Sequence, residues 1–363
     1  MRDSDRQTIA DAFNRDLDPL AKYTQKFDSI EINPFELYID ERLSKKDLAK
    51  GTDEEYRRSF QQWQEFMYNE KRHFACPNKT HVSRFIDYLQ EERGNAAGTI
   101  KNRLMYLNQA YKYWQDDAAF PHSRDYNPID LAKKTADLSG EPQKKLQRLT
   151  VNELSKKLQE ITNIRDQAFV LIQLKLGLRA SEVCNIKISE IHLSNTVIED
   201  HYAKMGTAKA LDDRRNAIYI PHDRERNKSR KPRVLPLDYE LRQVLLKYIL
   251  IRPDINEPWL FLSKIGRQKL KYDDINKIWK SYFHPEYAET ERFRAVTSHY
   301  GRHRFTTYWG VEQDLSRELV KYMRGDTPGG SKLENLDVMN EYIHTYYEDI
   351  ETIYREQIYQ FGL

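Results

Sequence analysis

Gly177-Leu178-Arg179-Ala180-Ser181-Glu182 and His299-Tyr300-Gly301-Arg302-His303 lie far apart in the chain, and each sets an arginine against an apolar helix. The apolar run Ala168 to Leu176 predicts a helix that stops at Gly177, so Arg179 falls at a helix-to-turn junction. From there a planar guanidinium can offer its fork to two phosphate oxygens. The second motif follows a polar stretch and opens an apolar run (Phe305, Tyr308, Trp309), which places His299 and Arg302 one turn apart on one helical face. Two arginines, a histidine and a nearby tyrosine can perform phosphodiester chemistry without a metal. Taken singly, each motif has a plainer reading: Arg179 pairs with Glu182 or another acid, and Arg302 does likewise.

Working outward, the 363 residues suffice for two domains with cores of their own. Lys and Arg number 59 against 56 acids, a net +3, so whole-chain charge says little about partners and local distribution matters more. Cys76 and Cys184 are the only cysteines and neither sits in a CxxC, which points away from a zinc site or disulfide framework and toward a reducing cytoplasm. No apolar run approaches the roughly 18 residues of a membrane span, and Met1-Arg2-Asp3-Ser4-Asp5-Arg6 lacks a signal-peptide core. The expectation is a cytoplasmic protein with no membrane partner.

Residues 1–30 are polar and weakly periodic, and read as an N-terminal arm or short helix. Thr52-Asp53-Glu54-Glu55 is a capping box followed by Tyr56, Phe60, Trp63, Phe66 and Met67 at helical spacing. Val82, Phe85, Ile86 and Leu89 repeat the pattern, as do Ile100, Leu104, Leu107, Tyr111 and Trp114, so residues 31–130 predict a helical bundle. Over 131–147 apolar periodicity lapses among Lys133, Lys134, Gly140, Pro142, Lys144 and Lys145, and the stretch reads as a linker. A second capping box, Thr150-Val151-Asn152-Glu153, opens the larger domain over 148–363. There, Ala217 to Pro221 and Arg233 to Leu237 predict a hairpin, and most of the remainder is helical.

The hairpin turn, Arg224-Glu225-Arg226-Asn227-Lys228-Ser229-Arg230-Lys231-Pro232-Arg233, carries six basic residues. Such a run is usually a solvated loop, but it can also enter a DNA groove, where one ammonium can protonate a leaving alkoxide. Glu341-Tyr342-Ile343-His344-Thr345-Tyr346-Tyr347 offers three candidate nucleophiles among 24 tyrosines, most of which serve packing. A phenol attacks phosphorus only where a base or cationic cluster favours its anion, and two arginines supply that field.

Taken together, these motifs resemble the tyrosine recombinases of the lambda-integrase type over residues 30 to 350. Gly177-Leu178-Arg179 with Ser181-Glu182 is similar to that family's first arginine motif, and His299-Tyr300-Gly301-Arg302-His303 to its His-x-x-Arg-His. Arg233-Val234-Leu235-Pro236-Leu237 resembles the strand after the catalytic-lysine turn, which by counting back puts the lysine at Lys228, with Lys231 as fallback. Tyr342-Ile343-His344 resembles the nucleophile's Tyr-x-His, with Tyr346 and Tyr347 as fallbacks.

The resemblance implies a mainly α fold with a small antiparallel β-sheet in the catalytic domain, and a helical, SAM-like core-binding domain completing a C-shaped clamp. It implies a site-specific recombinase or integrase of a virus or mobile element, cleaving DNA through a 3′-phosphotyrosyl link with neither cofactor, metal nor ATP. Implied partners are double-stranded DNA attachment sites, a homotetramer on two sites joined through the C-terminal tail, and accessory DNA-bending proteins. The tail, Glu348 to Leu363, is amphipathic and would dock on a neighbouring protomer by that likeness, or on its own domain by pattern alone.

Two features depart from the family. Met323-Arg324-Gly325-Asp326 puts Asp326 where a histidine or tryptophan is usual, and an ionised carboxylate accepts but cannot donate a hydrogen bond. Arg324 could replace that donor, or Asp326 could orient another side chain. Extra length around His201 to Arg214, and more after Asp326, is the second departure; the first insertion reads as a DNA or neighbour contact, or as a tolerated surface loop. Asp326 keeps open an inactive DNA-binding regulator of the same fold, and the chemistry alone also suits a topoisomerase or hairpin-forming resolvase. Arg57, Lys101 and Arg103 could touch a DNA backbone or simply be solvated.

Overall fold

Three asparagines start helices in the first of the chain's two units, Met1–Gln143. Asn33 caps the helix that begins at Pro34, Asn78 forms a capping box with His81, and Asn127 accepts from the amides of Ile129 and Asp130. The computed structural model describes residues 3–46, 48, 50–139, 144–229, 231–326 and 336–363, and of residues 3, 4, 50 and 336–345 the backbone course alone. Helices in the first unit are α1 (Asp3–Ala12), α2 (Thr24–Asp28), α3 (Pro34–Tyr38), α4 (Lys50–Asn69), α5 (Lys79–Asp87), α6 (Ala97–Asp116) and α7 (Pro128–Thr135).

The apolar positions foreseen on α4, α5 and α6 turn inward: Phe60, Trp63, Phe85, Leu104 and Trp114 are buried, while Phe66 is partly so. The core is aromatic, with Phe35 stacked on Phe60 at 4.1 Å between ring centroids. Indole N–H groups inside it find carbonyls, Trp63 donating to Phe74 at 3.0 Å and Trp114 to Pro34 at 3.1 Å. Helix α4 begins at Lys50, ahead of the cap expected at Thr52.

Two stretches are more built than their polarity suggested. The expected arm, residues 1–30, holds α1 and α2 and buries Leu20 and Phe27 in the first core. Asp18 fastens it by accepting from Arg72 and Asn78, each at 2.7 Å. The expected linker starts with α7, which with the residues after it buries Ile129, Ala132 and Leu138. A cap at Asn127 and a proline in the first turn support this helix although it has too few apolar residues to show a period.

The second unit, Lys144–Leu363, is mainly helical with a small antiparallel sheet. Its elements are β1 (Lys145–Leu146), α8 (Val151–Glu160), α9 (Ile164–Leu176), α10 (Ala180–Cys184), β2 (Ile191–His192), α11 (Thr196–His201), β3 (Ala217–Ile220) and β4 (Arg233–Pro236). They continue with α12 (Tyr239–Ile251), α13 (Tyr272–Phe283), β5 (Phe293–Arg294), α14 (Ser298–Thr307), α15 (Arg317–Arg324) and α16 (Leu336–Gln357). Strands run β2-β3-β4, with Ala217 opposite Pro236 and Ile220 opposite Arg233. A short parallel pair, β1 with β5, stands apart from that sheet and left no sequence signal.

Helix α9 is the spine: from Ala168 to Leu176 it is buried all round, and it packs on α12 and α14. Gly301 lets α14 come close, since a Cβ there would fall 3.0 Å from the Gln173 carbonyl carbon. Gly177 ends α9 in the left-handed conformation, as its position predicted.

The insertion around His201 to Arg214 packs on its own unit. Leu211 joins Ala217, Val234 and Tyr347 in a small apolar cluster, and Arg214 stands over the Tyr347 ring at 5.2 Å. Arg355 of α16 donates to the Arg215 and Asn216 carbonyls, so this segment props the last helix.

The C-terminal tail packs on its own unit, the docking that its amphipathic pattern alone allowed. Tyr354 and Tyr359 hydroxyls donate to the carbonyls of Lys175 and Leu174 at the end of α9. Glu240 accepts from the amides of Phe361 and Leu363, both at 3.0 Å, and Lys175 pairs with Asp238 at 2.5 Å and Glu240 at 2.7 Å. With Lys175 fully buried beneath it, the tail closes its own core. Among the described residues no helix is long and apolar enough to cross a membrane.

Candidate active site

Helix α14 brings His299 and Arg302 to the end of α9, where Arg179 caps the short helix α10. Arg179 Nη2 and Arg302 Nη2 each donate to the same oxygen, Asp326 Oδ1, at 2.8 Å. The motifs that are distant in sequence thus converge on one anionic point, a carboxylate oxygen that accepts from both arginines. Arg324 Nε lies 3.0 Å from the other carboxylate oxygen.

Each arginine is also held from behind. Arg302 Nη1 donates to the carbonyls of Gly177 at 3.0 Å and Arg324 at 2.9 Å. Burial first, then the neighbouring Arg179, pulls the Arg302 pKa down to about 9, so it stays charged at neutral pH. The Arg179 backbone amide donates to Glu182 Oε2 at 2.8 Å, and its Nη1 reaches Oε1 at 3.4 Å. The plain reading of Arg179 as a partner of Glu182 therefore coexists with the reading in which it faces an anion.

Glu182 is itself fixed by Arg233, a pair with no solvent exposure on either side chain and an Nη2 to Oε2 distance of 3.0 Å. Burial alone would raise the Glu182 pKa, but Arg233 and then Arg179 and Arg302 outweigh it and hold it low. Arg233 Nε donates to the Met323 carbonyl, joining β4 to the end of α15. Gly325 makes this junction: its φ is +66°, and a Cβ there would collide with the Arg233 guanidinium. The sequence marks neither Glu182 nor Arg233 as a site residue. The signal available was a charged residue opening an apolar strand, and an acid one turn after Arg179.

Lys228 sits exposed on the β3–β4 turn, where its charge acts on His299. Partial burial, then Arg302, Lys228 and Arg179, lower the His299 pKa, although the ring keeps an exposed edge. Lys231, the fallback, is buried and faces Glu318 of α15; burial lowers its pKa. The turn is braced by Arg224, which donates to Glu190 at 2.7 Å and to the Asn185 carbonyl, while Asn185 Nδ2 donates to Asn227 Oδ1 at 2.8 Å. Arg230 of the same basic run lies outside the described residues.

The three tyrosines separate. Tyr342 falls on α16, and its side chain lies outside the described residues. Tyr346, one turn on, stacks on Tyr322 with 5.1 Å between centroids. Tyr347 is buried, its hydroxyl donates to Glu351 at 3.1 Å, and burial pushes its pKa up to about 12, which disfavours the phenolate a nucleophile needs.

This fold and the convergence of its two arginine motifs define a class: the chain belongs to the phage integrase family, the tyrosine recombinases, whose model matches residues 145–325. It is 27% identical over 175 residues to tyrosine recombinase XerA of Pyrococcus horikoshii, 47% of this chain and 51% of that one. To XerA of Pyrococcus furiosus it is likewise 27% identical, over 177 residues. The chain thus covers about half the length of these two archaeal relatives. Tyrosine recombinase XerD of Oceanobacillus iheyensis is 22% identical over 77% of this chain and 84% of its own. In fold the chain is similar to the Tn1549 transposon integrase in complex with a circular intermediate DNA, with a TM-score of 0.61, 17% identity and coverage of 87% of this chain and 95% of that one. It is also similar to a lambda integrase tetramer bound to a Holliday junction, with a TM-score of 0.58, 14% identity and coverage of 90% and 88%.

Proposed function

We propose that this protein is a site-specific DNA recombinase, an integrase of a virus or mobile element that works in the cytoplasm of its host. The observation that carries the reading is the meeting of Arg179 and Arg302, each 2.8 Å from one anionic oxygen, with His299 and Lys228 beside them. Two guanidiniums aimed at one point suit a phosphodiester and the extra charge it gains in the transition state.

In this reading the Tyr342 oxygen forms a bond to phosphorus and gives up its proton, with His299 assisting the transfer. The 5′-oxygen leaves with the bonding electrons and takes a proton from Lys228. The resulting 3′-phosphotyrosyl ester keeps the bond energy, so a 5′-hydroxyl from another strand can reverse the step without ATP. The cationic side chains supply the charge stabilisation, and no metal is needed. Likeness to the lambda integrase tetramer supports four protomers on two double-stranded sites. By the same likeness the C-terminal tail would join neighbouring protomers in that assembly. Accessory DNA-bending proteins would belong to the target site.

The test is covalent trapping on nicked duplexes selected by the protein from a random-sequence pool, in the presence of chelator, with peptide mass spectrometry of the adduct. The expected result is an adduct on Tyr342, lowered about 10²–10³-fold by Arg302→Ala. An adduct on Tyr346 or Tyr347 would keep the chemistry and move the nucleophile. DNA bound without any adduct would overturn the enzyme in favour of a DNA-binding regulator, and relaxed circles or hairpin ends without recombinant junctions would point to a topoisomerase or resolvase.

A further inference from the structure

We propose that Asp326 is a built-in stand-in for the phosphate: its carboxylate fills the seat between Arg179 and Arg302 and must rotate away before a phosphate can enter. The proposal rests on the reading of Arg179 and Arg302 as the phosphate clamp. Its basis is that one oxygen, Asp326 Oδ1, takes the inner Nη2 donor of both arginines at 2.8 Å. A non-bridging phosphate oxygen, anionic and able to accept two charge-assisted hydrogen bonds, has the same needs. Carboxylate and phosphate cannot both use those two donors, and side by side they would repel.

Both arginines stay aimed without Asp326, because their other anchors do not involve it. Arg302 is held by the carbonyls of Gly177 and Arg324, and the Arg179 guanidinium by its Nη1 contact with Glu182 Oε1 at 3.4 Å, Glu182 being locked in turn by Arg233. The seat therefore survives the loss of its occupant. The Asp326 backbone is fixed, its amide donating to the Lys321 carbonyl at 3.0 Å while the Gly325 amide donates to Tyr322 at 2.9 Å, the double bond of a Schellman ending to α15. Only the side chain has to move. It is short, and at 27% exposure it has an open side to turn toward.

This assigns Asp326 a function that a family histidine or tryptophan at its position would not share, since those donors join the phosphate where the aspartate gives way to it. It also sets a threshold: only an anion able to engage both arginines recovers what the carboxylate relinquishes.

The experiment is calorimetric titration of the full chain with inorganic phosphate at constant ionic strength and without DNA, comparing the wild type with Asp326→Asn, Asp326→Ala and Arg302→Ala. A filled seat predicts that Asp326→Asn and Asp326→Ala each bind phosphate about tenfold tighter or more, since each removes a competing anion from the same donors. Weaker binding by Asp326→Ala with wild-type binding by Asp326→Asn would overturn the proposal, because it would make Asp326 a strut that holds the arginines rather than an occupant of their seat. Unchanged binding by both variants, with binding lost in Arg302→Ala, would also overturn it while leaving the clamp intact. Binding by no protein, or binding indifferent to Arg302, would overturn the proposal together with the clamp.

Discussion

Glu182 and Arg233 form a two-pronged ion pair with no exposure to solvent, directly behind Arg179. Removing one partner of a buried pair leaves an uncompensated charge, at a cost of about 3–5 kcal/mol. Glu182→Ala is expected to lose stability on that scale in chemical denaturation. The double change Glu182→Leu with Arg233→Leu is expected to regain much of it without regaining DNA cleavage, since Arg179 still lacks its anchor. Recovery of both would show that the pair serves packing only.

Lys228 and His299 are coupled by charge across the site, so neutralising the lysine is expected to raise the His299 pKa toward its ordinary value. The direction follows from cations disfavouring the imidazolium. Histidine NMR titration of Lys228→Met against the wild type reads the shift, and an unmoved His299 would separate the two residues. Because the His299 pKa lies low, the ring is neutral at pH 7 and able to accept a proton, and it loses that ability as pH falls through its lowered value.

His122 predicts an acid weakness in the first unit. It is buried, with Nε2 2.7 Å from the Ala75 carbonyl, and burial lowers its pKa from 6.5 to about 4. The folded state favours the neutral ring, so the contribution is complete above the unfolded value and is lost as pH falls from about 6.5 to about 4. Linkage puts the loss at roughly 3 kcal/mol. Unfolding free energies at pH 7 and pH 4 check this, and His122→Gln is expected to flatten the difference.

Lys175 holds the tail through two acids and is fully buried. Lys175→Met is expected to cost about 3–5 kcal/mol and to open the tail to limited proteolysis. Tail deletion is accordingly expected to lower the stability of the protein itself. A shortened protein with unchanged stability and altered assembly would assign the tail an intermolecular role.

Much of this protein could be read from local sequence because the forces involved are local. Capping at Thr150, the stop at Gly177, the inward faces of α4, α5 and α6 and the β3–β4 hairpin each depend on residues within a few turns, and each was legible. The tertiary structure decided what depends on distant partners. It closed the arm and the start of the linker onto the first core through single contacts such as Asp18 with Arg72. It seated the tail on α9 through a lysine that looked like an ordinary helix residue. It made Arg233 and Glu182 a hidden support, and it turned Asp326, which local sequence showed only as an anomaly, into the point where two remote arginines meet. Periodicity and capping are written in neighbouring residues, whereas the partner of a buried charge is chosen by the packing of whole elements.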